Sequence, residues 1–272
     1  MPYFSNDDRY HRIAKQVGTI VALVGVIIVA AILTVRIANS HQRVVATPEQ
    51  PPSVWHAPPG PSGPADPPLP SGFPSMAVPP PMSPAPKGGP QTVPTWYGLS
   101  YTVPTTGAWR PSNERVMGWT SETTDQTIVS YGAVSDYGYG YCPQTDGSAL
   151  ANVGARGRNG IDIETAAREE ISKAEEIFGA ADAGRKAIVT VSEPARWSIN
   201  GRPAVRYRAN ISGIPRKHSC DATEAEFDVI ATPAYSSAEV AVFVIEREIG
   251  PAQALTAGDV DTIAASIQKT RQ

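Results

Sequence analysis

The sequence predicts an α+β fold: an antiparallel sheet flanked by helices, carried behind a transmembrane helix and a proline-rich disordered stalk. Three observations lead there. An uncharged apolar run of 19 residues occupies positions 17–35. Prolines are crowded, with 18 of the 27 between positions 48 and 94, so the chain is not one globule. Beyond residue 95, short β-rich segments joined by turn residues are interrupted by only two helical patterns, the order expected of α+β. The predicted organisation is a cytoplasmic tail at 1–16, a transmembrane helix at 17–36, a linker at 37–94 and an extracytoplasmic domain at 95–272.

A helix over the apolar run spans roughly 28 Å, about the thickness of a bilayer core. A cleaved signal is the rival, but its apolar region is usually shorter and ends in small residues. Here Arg36 follows directly. Arg9, Arg12 and Lys15 precede the run, against Arg36 and Arg43 after it. That bias places the N-terminus inside and the domain outside. In the linker, Pro58-Pro59-Gly60-Pro61 and Pro79-Pro80-Pro81 favour polyproline II and cannot donate to a sheet ladder.

Within the domain, residues 97–103, 115–121 and 126–134 read as strands. An irregular stretch rich in Gly, Asp and Asn follows over 137–160. Residues 162–178 form the clearest helix, with Ile163, Ala166, Ala167, Ile171, Ala174, Ile177 and Phe178 at helical spacing and Gly179 as its stop. Residues 186–192 are a strand. Asn200-Gly201 joins strands at 197–200 and 202–211 in a type I′ hairpin. Two more strands occupy 226–232 and 239–248. The last element is an amphipathic helix at 259–270, with Thr256 and Asp259 at capping-box spacing.

This order, with the segment Asn200-Gly201-Arg202-Pro203-Ala204-Val205-Arg206-Tyr207-Arg208-Ala209 in its hairpins, resembles the PsbP-like α/β/α sandwich. The likeness is to its version in membrane-anchored envelope domains of unknown function from actinobacteria. The resemblance implies a binding or assembly module, and it carries no catalytic signature onto residues of this chain.

Composition excludes one class of partner. The formal net charge is −3, and 17 basic residues face 22 acidic ones beyond position 95. No basic surface is available for a nucleic acid backbone.

Cys142 and Cys220 are the only cysteines, and an oxidising compartment makes them a disulfide. The rival is a reactive thiol at Cys220, beside Lys217 and His218. His218 is the only histidine beyond residue 95, so a three-histidine zinc site is excluded; it reads as a solvated loop residue. Gly154 to Gly160, with Arg156 and Arg158, precede a helix and could take an anion. Asp162 and Glu164 in its first turn oppose that, and an ordinary loop is expected.

Tyr137, Tyr139 and Tyr141 alternate with glycines. They either present aromatic faces to a sugar or a protein, or pack around the Cys142 bridge. Asp221, Glu224, Glu226 and Asp228 lack the calcium-loop pattern and read as a solvated edge strand.

The function expected is therefore a non-enzymatic binding or assembly module at the cell envelope, single-pass in the membrane. No catalytic, metal or cofactor residues are assigned and no cofactor is expected. Partners are the membrane itself and a cell-wall glycan, an envelope lipid or a membrane protein. The alternative is a carboxylate-dependent envelope hydrolase using Asp136 and Asp146, which needs two carboxyls about 5–10 Å apart across a cleft.

Overall fold

The computed structural model describes residues 66–104, 108–121, 123–179 and 186–271. Its elements in chain order are β1 (Gln91–Pro94), β2 (Leu99–Val103), β3 (Trp109–Arg110), β4 (Val116–Thr120), β5 (Thr127–Tyr137) and β6 (Ala151–Arg158). Then come α1 (Ile163–Ser172), α2 (Ala174–Phe178), β7 (Ile188–Val191), β8 (Ala195–Ile199), β9 (Arg202–Ser212), β10 (Glu224–Pro233) and β11 (Val240–Ile249). α3 (Ala257–Ala265) and β12 (Gln268–Lys269) close the series.

Among the described residues nine strands form one antiparallel sheet in the order β3-β5-β6-β11-β10-β9-β7, with β4 also on β5 and β8 also on β9. A second, small sheet runs β1-β2-β12. The central strand β11 explains the layering. Its side chains alternate, so Ala241, Phe243 and Ile245 enter one core while Val240, Val242 and Val244 enter the other. On the second face α1 lays Ala166, Ala167 and Ile171 against Phe227 and Val229 of β10. On the first face β2 delivers Leu99, Tyr101 and Val103, and α3 delivers Val260, Ile263 and Ala264. Burying each of the large side chains contributes roughly 1.5–3 kcal/mol.

The predicted α/β/α sandwich is therefore corrected. One face of the large sheet carries a helix, but the other is covered largely by a second sheet, and the fold is mostly β. The predicted membrane anchor is corrected as well. Among the described residues no helix is long and apolar enough to cross a membrane, so the single-pass localisation loses its support. The segment on which it rested, 17–36, lies outside the described residues, as do the tail at 1–16 and the linker up to 65.

Residues 66–94, read from the sequence as the end of the linker, lie on the domain. Asp66 takes Arg158 at 3.0 Å, the Met76 N–H donates to Ser237 Oγ at 2.9 Å, and Met82 packs against the first core. Gln91 Nε2 donates to the Ser83 carbonyl at 2.9 Å, and β1 adds a strand.

Most predicted strands are present within a few residues. Asn200 and Gly201 both have positive φ, at 50° and 75°, as the type I′ turn requires. The predicted helix at 162–178 divides at Lys173, with Asp162 capping its start through the Glu164 and Thr165 N–H groups. The final helix is capped by the expected Thr256–Asp259 box but ends at Ala265, because Gln268 and Lys269 pair with Ser100 and Leu99 instead.

β6 occupies part of the stretch expected to be irregular. Gly154 and Gly157 fit it there: a Cβ at 154 would lie 2.8 Å from Tyr131 Cβ, and one at 157 would lie 2.5 Å from Ala238 Cβ. β10 is not the predicted solvated edge, since it sits between β9 and β11. Asp228, fully buried, is held by Arg206 at 2.8 Å and Arg208 at 3.1 Å, and both arginines reach Asp261 of α3. Glu226 takes Arg247 at 3.2 Å. This network fastens α3 to the sheet.

Candidate functional site

The residues singled out by sequence converge on one end of the large sheet, where β5 and β11 finish and β6 and β10 begin. Two loops without strand or helix, 138–150 and 213–223, cover this end. The Cys142–Cys220 disulfide ties them together, with a Cα–Cα distance of 5.4 Å and a sequence separation of 78.

Asp221 reinforces the tie. Its carboxylate accepts from Thr145 Oγ1 at 2.9 Å and from the N–H groups of Lys217 and His218 at 2.9 and 2.7 Å. Burial works against its charge, but the His218 N–H, the Thr145 hydroxyl and the Lys217 N–H outweigh burial and hold its pKa below the ordinary value. His218 itself is exposed in the loop. Cys142, Cys220 and Asp221 place their ligand-type atoms within 4.8 Å of one another, but both sulfurs are in the disulfide and neither is the thiolate a metal takes.

The three tyrosines meet three different environments. Tyr137 is half-buried and packs on Trp109, ring centroids 5.2 Å apart. Tyr139 is 48% exposed, and the Arg110 guanidinium lies 3.5 Å from its ring centroid. Tyr141 turns toward the carboxylates of β11. Burial, then the Glu248 charge, push its hydroxyl up to about 12 against the opposing Ala222 backbone. Gly138 and Gly140, both at positive φ, set these directions.

Asp136 and Asp146 do not form the predicted pair of free carboxyls. Arg110 Nε donates to Asp136 Oδ1 at 2.8 Å, and Arg115 Nη1 binds Oδ2, so both oxygens are engaged. Asp146 lies exposed in the loop. Gly154–Gly160 forms neither the ordinary loop expected nor the rival anion loop, because that stretch is largely strand. Arg156 faces the buried Glu170 at 3.5 Å, and Arg158 binds Asp66 and Glu169.

Sequence reasoning missed the two most perturbed groups at this end. The apolar face of β11 continues from Val240, Val242 and Val244 into Glu246 and Glu248. Extending the strand's alternation by two steps would have found them. Register places Asp136, Asn152 and Glu246 in one cross-strand row. Glu246 is only 4% exposed, and its Oε2 accepts from Asn152 Nδ2 at 2.8 Å. Burial and then Glu248 push its pKa up to about 8, the Asn152 hydrogen bond opposing. Burial and then Asp221 raise Glu248 to about 7. Among the described residues no cation pairs with Glu246; it is a buried acid whose proton is retained near neutrality.

Residues 82–272 match the family model described as a domain of unknown function, DUF8017. No curated protein matches the chain.

Proposed function

The chain belongs to the DUF8017 family, and from that premise we propose that its domain is a non-enzymatic binding or assembly module whose contact face centres on Tyr139. The observation that carries this reading is the Tyr139–Arg110 stack. A tyrosine 48% exposed is held flat beneath a guanidinium, which Asp136 fixes from its other side. Tyrosine and arginine are enriched at binding hot spots, and a prearranged pair loses little side-chain freedom on docking. The disulfide at Cys142, three residues along the same loop, limits its movement further.

A role at an actinobacterial cell envelope belongs to the same reading. It draws support from the disulfide, which persists in oxidising surroundings, and from the proline-rich composition before the domain. Among the partner classes, cell-wall glycan, envelope lipid and membrane protein, the Tyr–Arg stack favours a protein. Hydrolysis by Asp136 and Asp146 has less support, because two arginines already occupy the Asp136 oxygens.

The test replaces Tyr139 with the photo-reactive p-benzoylphenylalanine in the full chain and irradiates intact cells. A discrete adduct with one protein, lost on Arg110→Ala and absent when the probe sits at Val78 instead, supports the reading. Equal labelling from both positions overturns it.

A further inference from the structure

A second polar concavity lies away from this end, over the outward face of the small sheet. Leu99, Tyr101 and Val103 of β2 point into the core. Alternation therefore turns Ser100 outward, and register sets Pro94 of β1 and Gln268 of β12 beside it. A cavity of about 320 Å³ opens there, bounded also by Ser83, Thr92, Thr270 and Arg271.

One buried hydroxyl on its wall lacks a partner. Thr270 Oγ1 makes no hydrogen bond among the described residues. Buried hydroxyls are paired in the large majority of cases. Ser100, 2% exposed, stands on the same wall. An orphan beside a cavity points to a partner that the protein itself does not supply.

Charge narrows what that partner is. Among the described residues no acidic side chain lines the cavity, although the chain carries a net charge of −3; the charged members are Lys269 and Arg271. The Lys269 ammonium rests 4.8 Å from the Tyr235 ring centroid, whereas the Arg271 guanidinium makes no ion pair among the described residues.

We propose that this cavity binds the phosphate ester of a small polyol. A phosphoryl group offers three or more oxygens to the hydroxyls of Ser100, Thr270, Ser83 and Thr92. Arg271 supplies the planar, two-pronged donor that suits it. A carboxylate, with two oxygens, leaves more of these donors unused. The volume is at the lower end of small-molecule sites and larger than a bare phosphate needs. The remaining space, edged by the Gln268 amide, takes the hydroxylated body of the ester.

The test is titration calorimetry on the full chain with glycerol 3-phosphate, inorganic phosphate and glycerol. Glycerol 3-phosphate is expected to bind at least tenfold more tightly than inorganic phosphate, with glycerol silent. Arg271→Gln and Ser100→Ala are each expected to weaken binding at least tenfold while the melting temperature stays unchanged. Phosphatidylglycerol vesicles that displace the bound ester assign a lipid headgroup as its source, and vesicles that leave it bound assign a soluble ester. No binding by glycerol 3-phosphate, or binding undiminished in Arg271→Gln, overturns the proposal. Arg271 is exposed beyond the last strand, so its replacement tests the site even where Ser100→Ala disturbs the sheet.

Discussion

The Asn152 side-chain amide donates at 2.8 Å to Glu246, a carboxyl buried near the end of β11 that pairs with no cation among the described residues. Asparagine satisfies one oxygen without adding charge. The proton on Glu246 is therefore what makes its burial tolerable, and that proton is sensitive to pH.

Between the ordinary glutamate pKa and about 8, folded Glu246 binds more proton than the unfolded chain does, and Glu248 does so to about 7. Raised acid pKa values mean stability is fully present below the unfolded value and is lost as pH rises toward the folded one. Urea midpoints should fall between pH 5 and pH 8.5. Glu246→Gln, which keeps the hydrogen bond to Asn152 and cannot ionise, should flatten that fall. A Gln variant with the same slope would remove Glu246 as its origin.

Removing the disulfide should lower stability without dissolving the sheet. Closing 78 residues constrains the unfolded chain by about 4.5 kcal/mol in the chain-entropy treatment, an upper figure for most proteins. The Cys142→Ser, Cys220→Ser double variant should melt lower but still cooperatively, with near-UV circular dichroism retained below the transition. An unchanged melting temperature would show that Asp221 and Thr145 alone hold the loops.

Gly157→Ala should destabilise by about 1–3 kcal/mol, the usual cost of overpacking. Its new methyl would lie 2.5 Å from Ala238 Cβ and 2.8 Å from the Tyr97 ring, next to the end of β6 where Gly157 pairs with Ala241. Gly89→Ala, whose nearest neighbour is 3.2 Å away in a turn, is the milder comparison in a denaturant titration.

Asp228→Ala should be the most damaging of these changes. It strips Arg206 and Arg208 of their shared buried partner, and breaking a buried ion pair from one side costs about 3–5 kcal/mol. Arg168→Ala, on the exposed face of α1, should leave stability nearly unchanged, because a solvated ion pair contributes little. Equal effects in thermal melts would mean the network is less desolvated than its geometry indicates.

Strands with strong β-formers were legible in the sequence. β11 announced itself through Val240 to Ile245, and the Asn200-Gly201 turn fixed the β8–β9 hairpin because only residues tolerant of positive φ suit it. β6 was hidden because glycine and alanine have low strand propensity and occur there to admit Tyr131 and Tyr97. β1 was hidden between prolines, and β12 inside an amphipathic pattern whose Ile267 serves a helix face and a core equally well. The disulfide was legible from residue type and number. The Tyr139–Arg110 stack was not, since it depends on β3 pairing with β5 across a loop.

The small sheet has a consequence for synthesis. β2 lies between β1, which precedes it closely, and β12, which follows it by more than 160 residues. On a ribosome Leu99, Tyr101 and Val103 emerge early, yet both α3 and the second neighbour of β2 emerge last. A nascent chain stalled before Gln268 would hold an open strand edge and an uncovered apolar row, the combination that chaperones bind and that pairs wrongly with other copies. Completion of this domain is set by its final strand.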